Sequence, residues 1–134
     1  TNAFDLIVTN PPYFENALHS PKNERTVARH HARLSYASLI KNATRLCSAS
    51  GKFAIIVPIE FQKKIDTLCF ENQFYPERIC YVKPTPEKDP KRVLMEFSRS
   101  KKKTLHSDLI IETNERHTYS KAYIALTKSY YLYM

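Results

Sequence analysis

The sequence predicts an α/β fold with a mixed sheet, helices on both faces and an antiparallel strand pair near one edge. Three observations carry this. Short apolar runs at residues 4–8, 52–57 and 79–82 alternate with stretches whose apolar residues recur at helical spacing. The first two of those runs stop at proline, which cannot continue a central strand. Finally, the runs at 79–82 and 93–98 are joined by a Pro- and charge-rich loop with no room for a helix, so they should pair antiparallel.

Each element follows in order. Phe4-Asp5-Leu6-Ile7-Val8 reads as a buried strand ended by Asn10-Pro11-Pro12. Residues 14–28 are polar and irregular and read as a loop. From about Ala28 to Ser48, Leu34, Ala37, Leu39, Ile40, Ala43, Leu46 and Cys47 mark one face of a helix, which Ser48-Ala49-Ser50-Gly51 is expected to close with a C-terminal glycine. Lys52 to Val57 is a second buried strand. A helix from about Glu60 to Asn72 carries Phe61, Ile65, Leu68 and Cys69 on one side. Ile79–Val82 and Val93–Ser98 form the antiparallel pair around the 83–91 loop. Leu109–Glu112 reads as a further strand and Ser120 to about Tyr131 as a closing helix.

The 134 residues suffice for one domain with a real core, and 25% charged against 43% hydrophobic residues excludes wholesale disorder. Lys and Arg outnumber Asp and Glu by 21 to 13, a net charge of +8, which favours a polyanionic partner such as nucleic acid. Cys47, Cys69 and Cys80 show no CxxC spacing, so neither a zinc site nor a disulfide framework is expected, and a reducing cytoplasm fits best. The longest apolar run, Phe53 to Pro58, is too short to cross a bilayer. Gly51 is the only glycine, whereas a nucleotide-binding α/β domain needs a glycine-rich turn after its first strand. The chain is therefore expected to be a fragment, residues 1–134 forming the second half of a domain.

Asn10-Pro11-Pro12-Tyr13 concentrates the chemistry. Ligands of open parallel sheets sit just beyond the carboxyl ends of strands, where Asn10 is placed. The motif suits a planar amine whose lone pair is delocalised, as in adenine or an amide. Two acceptors on its two N–H bonds would draw the nitrogen toward tetrahedral geometry and free that lone pair. The Asn10 side-chain oxygen can be one acceptor and the Pro11 carbonyl the other, since proline offers only an acceptor there. Tyr13 provides a flat face on which a base stacks, a contribution of roughly 1–3 kcal/mol. Positioning and electrostatics would carry the rate, with no acid or base of unusual pKa.

Phe4-Asp5-Leu6-Ile7-Val8-Thr9-Asn10-Pro11-Pro12-Tyr13-Phe14 resembles motif IV of class I S-adenosylmethionine-dependent amino-methyltransferases. That motif serves both adenine-N6 enzymes and those methylating glutamine in release factors, but the latter follow it with a Glu-Pro-containing, glycine-rich stretch that residues 15–30 lack. Ala28-Arg29-His30, the helix and strand from there to Pro58, Arg92-Val93-Leu94-Met95-Glu96-Phe97 and the segment from Tyr119 to Met134 resemble the bacterial tRNA1(Val) adenine-N6-methyltransferase family. The resemblance runs through essentially the whole chain. It implies the C-terminal half of a Rossmann-like methyltransferase fold, S-adenosylmethionine as methyl donor and an adenosine of the tRNA anticodon loop as target. It also implies that the donor-binding half, with its glycine-rich loop, lies outside these residues. Asn10, Pro11, Pro12 and Tyr13 then form the catalytic motif, with Asn10 at the edge of the donor site. Phe14, Arg29, His30, Lys83 and Arg92 are the expected substrate contacts. The alternatives are a non-catalytic RNA-binding module and a methyltransferase acting on protein glutamine.

Other candidates are weaker. His30-His31 lacks a third metal ligand at suitable spacing, and no metal is expected. Lys101-Lys102-Lys103 and the group Lys83, Lys88, Lys91 and Arg92, together with Lys22, Arg25 and Arg29, are expected on the same rim as Asn10, contacting phosphates. Tyr75, Tyr119, Tyr123, Tyr130, Tyr131 and Tyr133 are expected to serve packing rather than stacking. The edge of strand 4–8 invites dimerisation.

Overall fold

A computed structural model describes residues 2–12, 35–115 and 117–132. Its strands are β1 (Phe4–Thr9), β2 (Cys47–Pro58), β3 (Tyr75–Lys83), β4 (Arg92–Ser98) and β5 (Leu105–Ile110). Its α-helices are α1 (Tyr36–Leu46), α2 (Gln62–Glu71) and α3 (Lys121–Thr127). The strands form one sheet in the order β1-β2-β4-β3-β5. β1 runs parallel to β2 and β3 parallel to β5, while β4 is antiparallel to both β2 and β3. The expected antiparallel pair is therefore present, one strand in from the β5 edge.

Pleating divides the side chains into two sets. Phe53, Ile55 and Val57 of β2 sit opposite Phe97, Met95 and Val93 of β4, and Ile79 of β3 faces Met95 in turn. This face is covered by Ile40 and Ala43 of α1, by Ile65 and Cys69 of α2, and by Phe74. Phe53 stacks between Phe74 at 5.8 Å and Phe97 at 6.3 Å, ring centre to ring centre. Each such fully buried side chain stabilises the fold by about 1.5–3 kcal/mol. α1 starts where the Ser35 hydroxyl accepts from the Ser38 amide. α2 follows a single 3₁₀ turn, Ile59–Phe61.

The second face carries Leu6 and Val8 of β1, Ala54 and Ile56 of β2, Leu94 of β4 and Cys80 of β3. Its helical cover among the described residues is α3, whose Leu126 lies over the same depression as those residues. β1 is accordingly less buried than its composition suggests: Leu6 is 60% and Val8 70% exposed. Ile7 packs against the core, whereas Leu6 and Val8 project from the second face, so among the described residues the strand is buried on one side only.

Several boundaries differ from the sequence reading, β2 opening at Cys47 rather than Lys52 and β3 at Tyr75 rather than Ile79 among them. α1 begins at Tyr36, and residues 28–34 of the expected helix lie outside the described residues. Gly51 is not a helix cap. The helix ends at Leu46, Cys47 is already extended (φ −78°, ψ 133°), and no glycine has positive φ. Gly51 sits inside β2, where a Cβ would stand 2.5 Å from Cys47 Sγ and 2.9 Å from the Phe4 carbonyl. The pairing register of β1 with β2 shifts at this point, between Phe4 and Leu6. β5 spans Leu105–Ile110 rather than 109–112, because its exposed outer residues give no apolar run to read. The closing helix ends at Thr127 and continues as a 3₁₀ turn to Tyr130.

Candidate active site

Asn10-Pro11-Pro12 leaves the sheet at the carboxyl end of β1, directly after Thr9 pairs with Ile55 of the parallel strand β2. Asn10 is exposed, Pro11 is buried and Pro12 is exposed again. The buried proline fixes the direction in which the chain leaves the strand, and its ring holds the adjoining peptide without offering an N–H. Neither peptide bond is cis. Asn10 stands at the lip of a depression of about 460 Å³ on the second face of the sheet. Val8, Ala54, Ile56, Cys80 and Leu94 give it an apolar floor, while Thr9, Arg78, Glu96 and Ser107 supply polar groups. Arg78 is held there by Glu96 (2.5 Å), which also pairs with Lys52 (3.3 Å).

Lys83 and Arg92 end β3 and begin β4, so both lie at the same end of the sheet as Asn10. Arg92 pairs with Pro58 of β2, the strand next to β1. Its backbone is thus about 12 Å from that of Asn10, two strand spacings across and two residues along. The 83–91 loop is tied down by Lys91 N–H donating to the Val82 carbonyl (2.9 Å) and Ile59 N–H to the Lys91 carbonyl (3.0 Å). Tyr13, Phe14, Arg29 and His30 lie outside the described residues, as do Lys22, Arg25 and His31.

Lys101-Lys102-Lys103 belongs elsewhere. β4 runs antiparallel to β1, so the connection after Ser98 emerges at the opposite end of the sheet. These lysines cannot share a rim with Asn10, because one strand direction separates the two loops by the full height of the sheet. The tyrosines divide: Tyr75 and Tyr123 are half-buried in ring contacts, as expected of packing, Tyr133 lies outside the described residues, and three others are open to solvent. Tyr130 is 86%, Tyr131 53% and Tyr119 40% exposed, and Tyr123 leans on Tyr119 at 5.2 Å between ring centres. Tyr119 bridges to Glu112 at the Asn10 end of the sheet. The polar lining groups Arg78 and Glu96 were not assigned a role from the sequence, although Glu96 lies within the quoted 92–97 segment; they meet only through the β3–β4 register.

Residues 1–82 match the model of the family described as Eco57I restriction-modification methylase. The chain belongs to that family. Curated relatives extend the likeness over nearly all of it. The tRNA1(Val) (adenine(37)-N6)-methyltransferase of Flavobacterium psychrophilum is 40% identical over 131 residues, covering 98% of this chain and 56% of that protein. The protein of the same name from Trichodesmium erythraeum is 43% identical over 133 residues, covering 96% and 54%. The chain thus spans about half the length of the curated relatives it matches. Among solved structures, one described as a predicted O-methyltransferase from Agrobacterium tumefaciens superimposes with a TM-score of 0.72 at 18% identity, over 95% of this chain and 52% of that one. M1.HpyAVI does so with a TM-score of 0.51 at 17% identity, over 95% and 62%. The five-stranded mixed sheet is therefore a methyltransferase fold, the class expected from the sequence. No helix among the described residues is long and apolar enough to cross a membrane, and no group of three metal-ligating side chains occurs among them.

Proposed function

We propose that this chain is the target-binding half of an S-adenosylmethionine-dependent tRNA (adenine-N6)-methyltransferase acting in the anticodon loop. The observation that carries the reading is the exit of Asn10-Pro11-Pro12 from the carboxyl end of a parallel strand, in a chain about 40% identical to proteins named for that reaction. The Asn10 carboxamide oxygen and the Pro11 carbonyl accept from the two N–H bonds of the target amine. The Pro11 carbonyl is oriented by the buried proline ring before substrate arrives, so that acceptor needs little reorganisation. In the same reading Tyr13 stacks on the flipped-out base, and Phe14, Arg29 and His30 are further contacts to the substrate. Lys83 and Arg92 meet flanking phosphates from the same end of the sheet.

The donor supplies an electrophilic methyl group. This chain fits only one edge of that donor, at Asn10. Its single glycine is packed against Cys47 and Phe4 within β2 and cannot form a phosphate- or nucleoside-embracing turn. In this reading residues 1–134 supply the target side of the site, and Asn10 is where they meet the donor. A reducing cytoplasmic setting accords with three free cysteines and a tRNA substrate.

The test uses the protein as its gene encodes it. Asn10→Ala is expected to lower methyl transfer to tRNA by at least about 100-fold, the usual cost of removing one preorganised polar contact to a transition state. tRNA affinity should change less than about threefold, since one exposed amide adds little to a phosphate-dominated interface. Asn10→Asp keeps an acceptor oxygen and should retain part of the activity. Equal loss of binding and transfer in Asn10→Ala would instead support the non-catalytic RNA-binding module.

A further inference from the structure

At the end of the sheet remote from Asn10, α2 and the β4–β5 connection enclose a cleft of about 540 Å³ lined by Asp66, Thr67, Phe70, Tyr75, Lys101 and Lys102, among others. It combines features that packing does not require. Phe70 is 63% exposed although it ends a helix whose inner face is buried. Its ring meets Tyr75 edge-on, with centres 5.9 Å apart and planes at 80°, which leaves a ring face open. The Lys101 ammonium sits 5.1 Å above the Tyr75 ring. The connection is braced where it crosses the start of β3: Thr104 Oγ1 donates to the Pro76 carbonyl (3.0 Å) and Lys102 pairs with Glu77 (3.2 Å). Lys102 is thereby occupied, and its neighbours Lys101 and Lys103 stand exposed on either side.

An open aromatic face beside a cation held over a second ring, in a cavity large enough for a nucleobase, is what sequence-tolerant binding of unpaired nucleotides uses. We propose that this cleft is a second RNA-contact site, taking an unpaired base against Phe70 with its phosphates on Lys101 and Lys103. The partner is the same RNA as at Asn10, so the inference rests on the tRNA reading. β3 spans the sheet in nine residues, which puts the two sites about 30 Å apart. A short hairpin carrying the target loop reaches only the Asn10 end, whereas an intact tRNA can reach both.

The gene-encoded protein is titrated with transcribed tRNA and with its isolated anticodon hairpin. Phe70→Ala, which removes no charge, should weaken tRNA binding roughly tenfold. The pair Lys101→Ala with Lys103→Ala should weaken it similarly and reduce the salt dependence by about two counterions. Hairpin affinity, and tRNA affinity of the surface control Lys41→Ala, should stay within about twofold of the parent. tRNA affinity unchanged in both cleft variants would overturn the proposal, as would equal weakening of tRNA and hairpin. Polyglutamate displacing tRNA from the parent but not from Phe70→Ala would also overturn it, marking the cleft as a protein-docking surface. These readouts are of binding alone, so absence of methyl transfer to adenine would sink the proposed function without deciding this site.

Discussion

The Arg99 guanidinium donates to the Cys47 carbonyl at 2.9 Å, joining the end of β4 to the junction of α1 and β2. It donates also to the carbonyls of Thr44 (2.5 Å) and Ser48 (3.3 Å) and lies 4.9 Å over the Phe74 ring. The last carbonyls of a helix need outside partners when no glycine turn supplies them, and one planar fork of donors serves Thr44 in the last turn together with the cap Cys47 and Ser48 at the start of β2. The same contact fixes where β2 starts, and β2 is the strand on which β1 and the Asn10 turn are registered.

Arg99→Ala should therefore destabilise the fold by about 2–3 kcal/mol, the loss of charge-assisted hydrogen bonds plus one cation–π contact. Arg99→Lys should recover less than half, because an ammonium cannot span the three carbonyls. Urea unfolding of the two variants checks this, and equal stability of parent and Arg99→Ala would refute the capping role.

Gly51→Ala places a methyl against the Cys47 sulfur, the Phe4 carbonyl and, at 3.0 Å, the Ser48 hydroxyl, of which the carbonyl alone cannot be removed by mutation. A cost of about 1–3 kcal/mol is expected. Combining it with Cys47→Ala should cost less than the sum of the single changes, since the closest clash, at 2.5 Å, is then gone. A double-mutant cycle by chemical denaturation measures the coupling. Strict additivity would show that the Phe4 carbonyl and the Ser48 hydroxyl, not the sulfur, set the constraint.

Much of this architecture was legible in the sequence, and the exceptions share a cause. The helical face of α1, the buried strand through Phe53, Ile55 and Val57, and the antiparallel return at 93–98 all bury apolar side chains with regular spacing, which sequence records directly. The glycine at 51 was misread because Ser-Ala-Ser-Gly after a helix is the local signature of a cap, while the true cap comes from Arg99, more than fifty residues on. Leu105-His106-Ser107-Asp108 hides an edge strand: His106 lies along Tyr81 with ring planes 9° apart, but the segment has no apolar alternation. Asn10-Pro11-Pro12 was readable because proline and asparagine have few alternative uses at a strand end. The placement of Lys101–Lys103 was not, since it depends on the direction of β4.

The Lys52–Glu77–Lys102 and Lys52–Glu96–Arg78 pairs form a charged band over the second face. Hydrogen bonding from Lys52 is the main cause holding the Glu77 carboxyl below its ordinary value of 4.5. A depressed folded-state pKa adds stability that is complete above the unfolded value and is lost as pH falls through the folded one. Stability should thus decline below about pH 4.5, and Glu77→Gln should flatten that decline while costing less than about 1 kcal/mol at neutral pH. Unfolding free energies measured on both sides of pH 4.5 test it; an undiminished acid decline in Glu77→Gln would assign it to other carboxylates.

Thiol chemistry offers a probe of the two sheet faces. Burial pushes the thiols of both Cys47 and Cys69 up from their ordinary value, Cys69 strongly, and neither side chain is accessible. Cys80 is half-buried on the second face, beside Leu94 and Ala54. In the 134-residue chain at mildly alkaline pH, a water-soluble disulfide reagent should label Cys80 within minutes and reach the other two only through unfolding. Simultaneous labelling of all three would show that α1 and α2 do not hold the first face closed.

The open edge of β1 gives the last expectation. Its neighbour on one side is β2; on the other, backbone N–H and C=O groups have no strand partner among the described residues. Leu6 and Val8 are exposed beside that edge, and Phe4 is 53% exposed. Such an edge recruits a second strand, and two copies of this chain can supply one to each other by antiparallel pairing of β1 with β1. The chain by itself should therefore dimerise with increasing concentration. Replacing Leu6 and Val8 by lysine should shift it to monomer without lowering the unfolding midpoint by more than a few degrees, because these side chains bury little. Sedimentation equilibrium decides the matter: a parent chain that stays monomeric at high concentration would refute the pairing of β1 with β1.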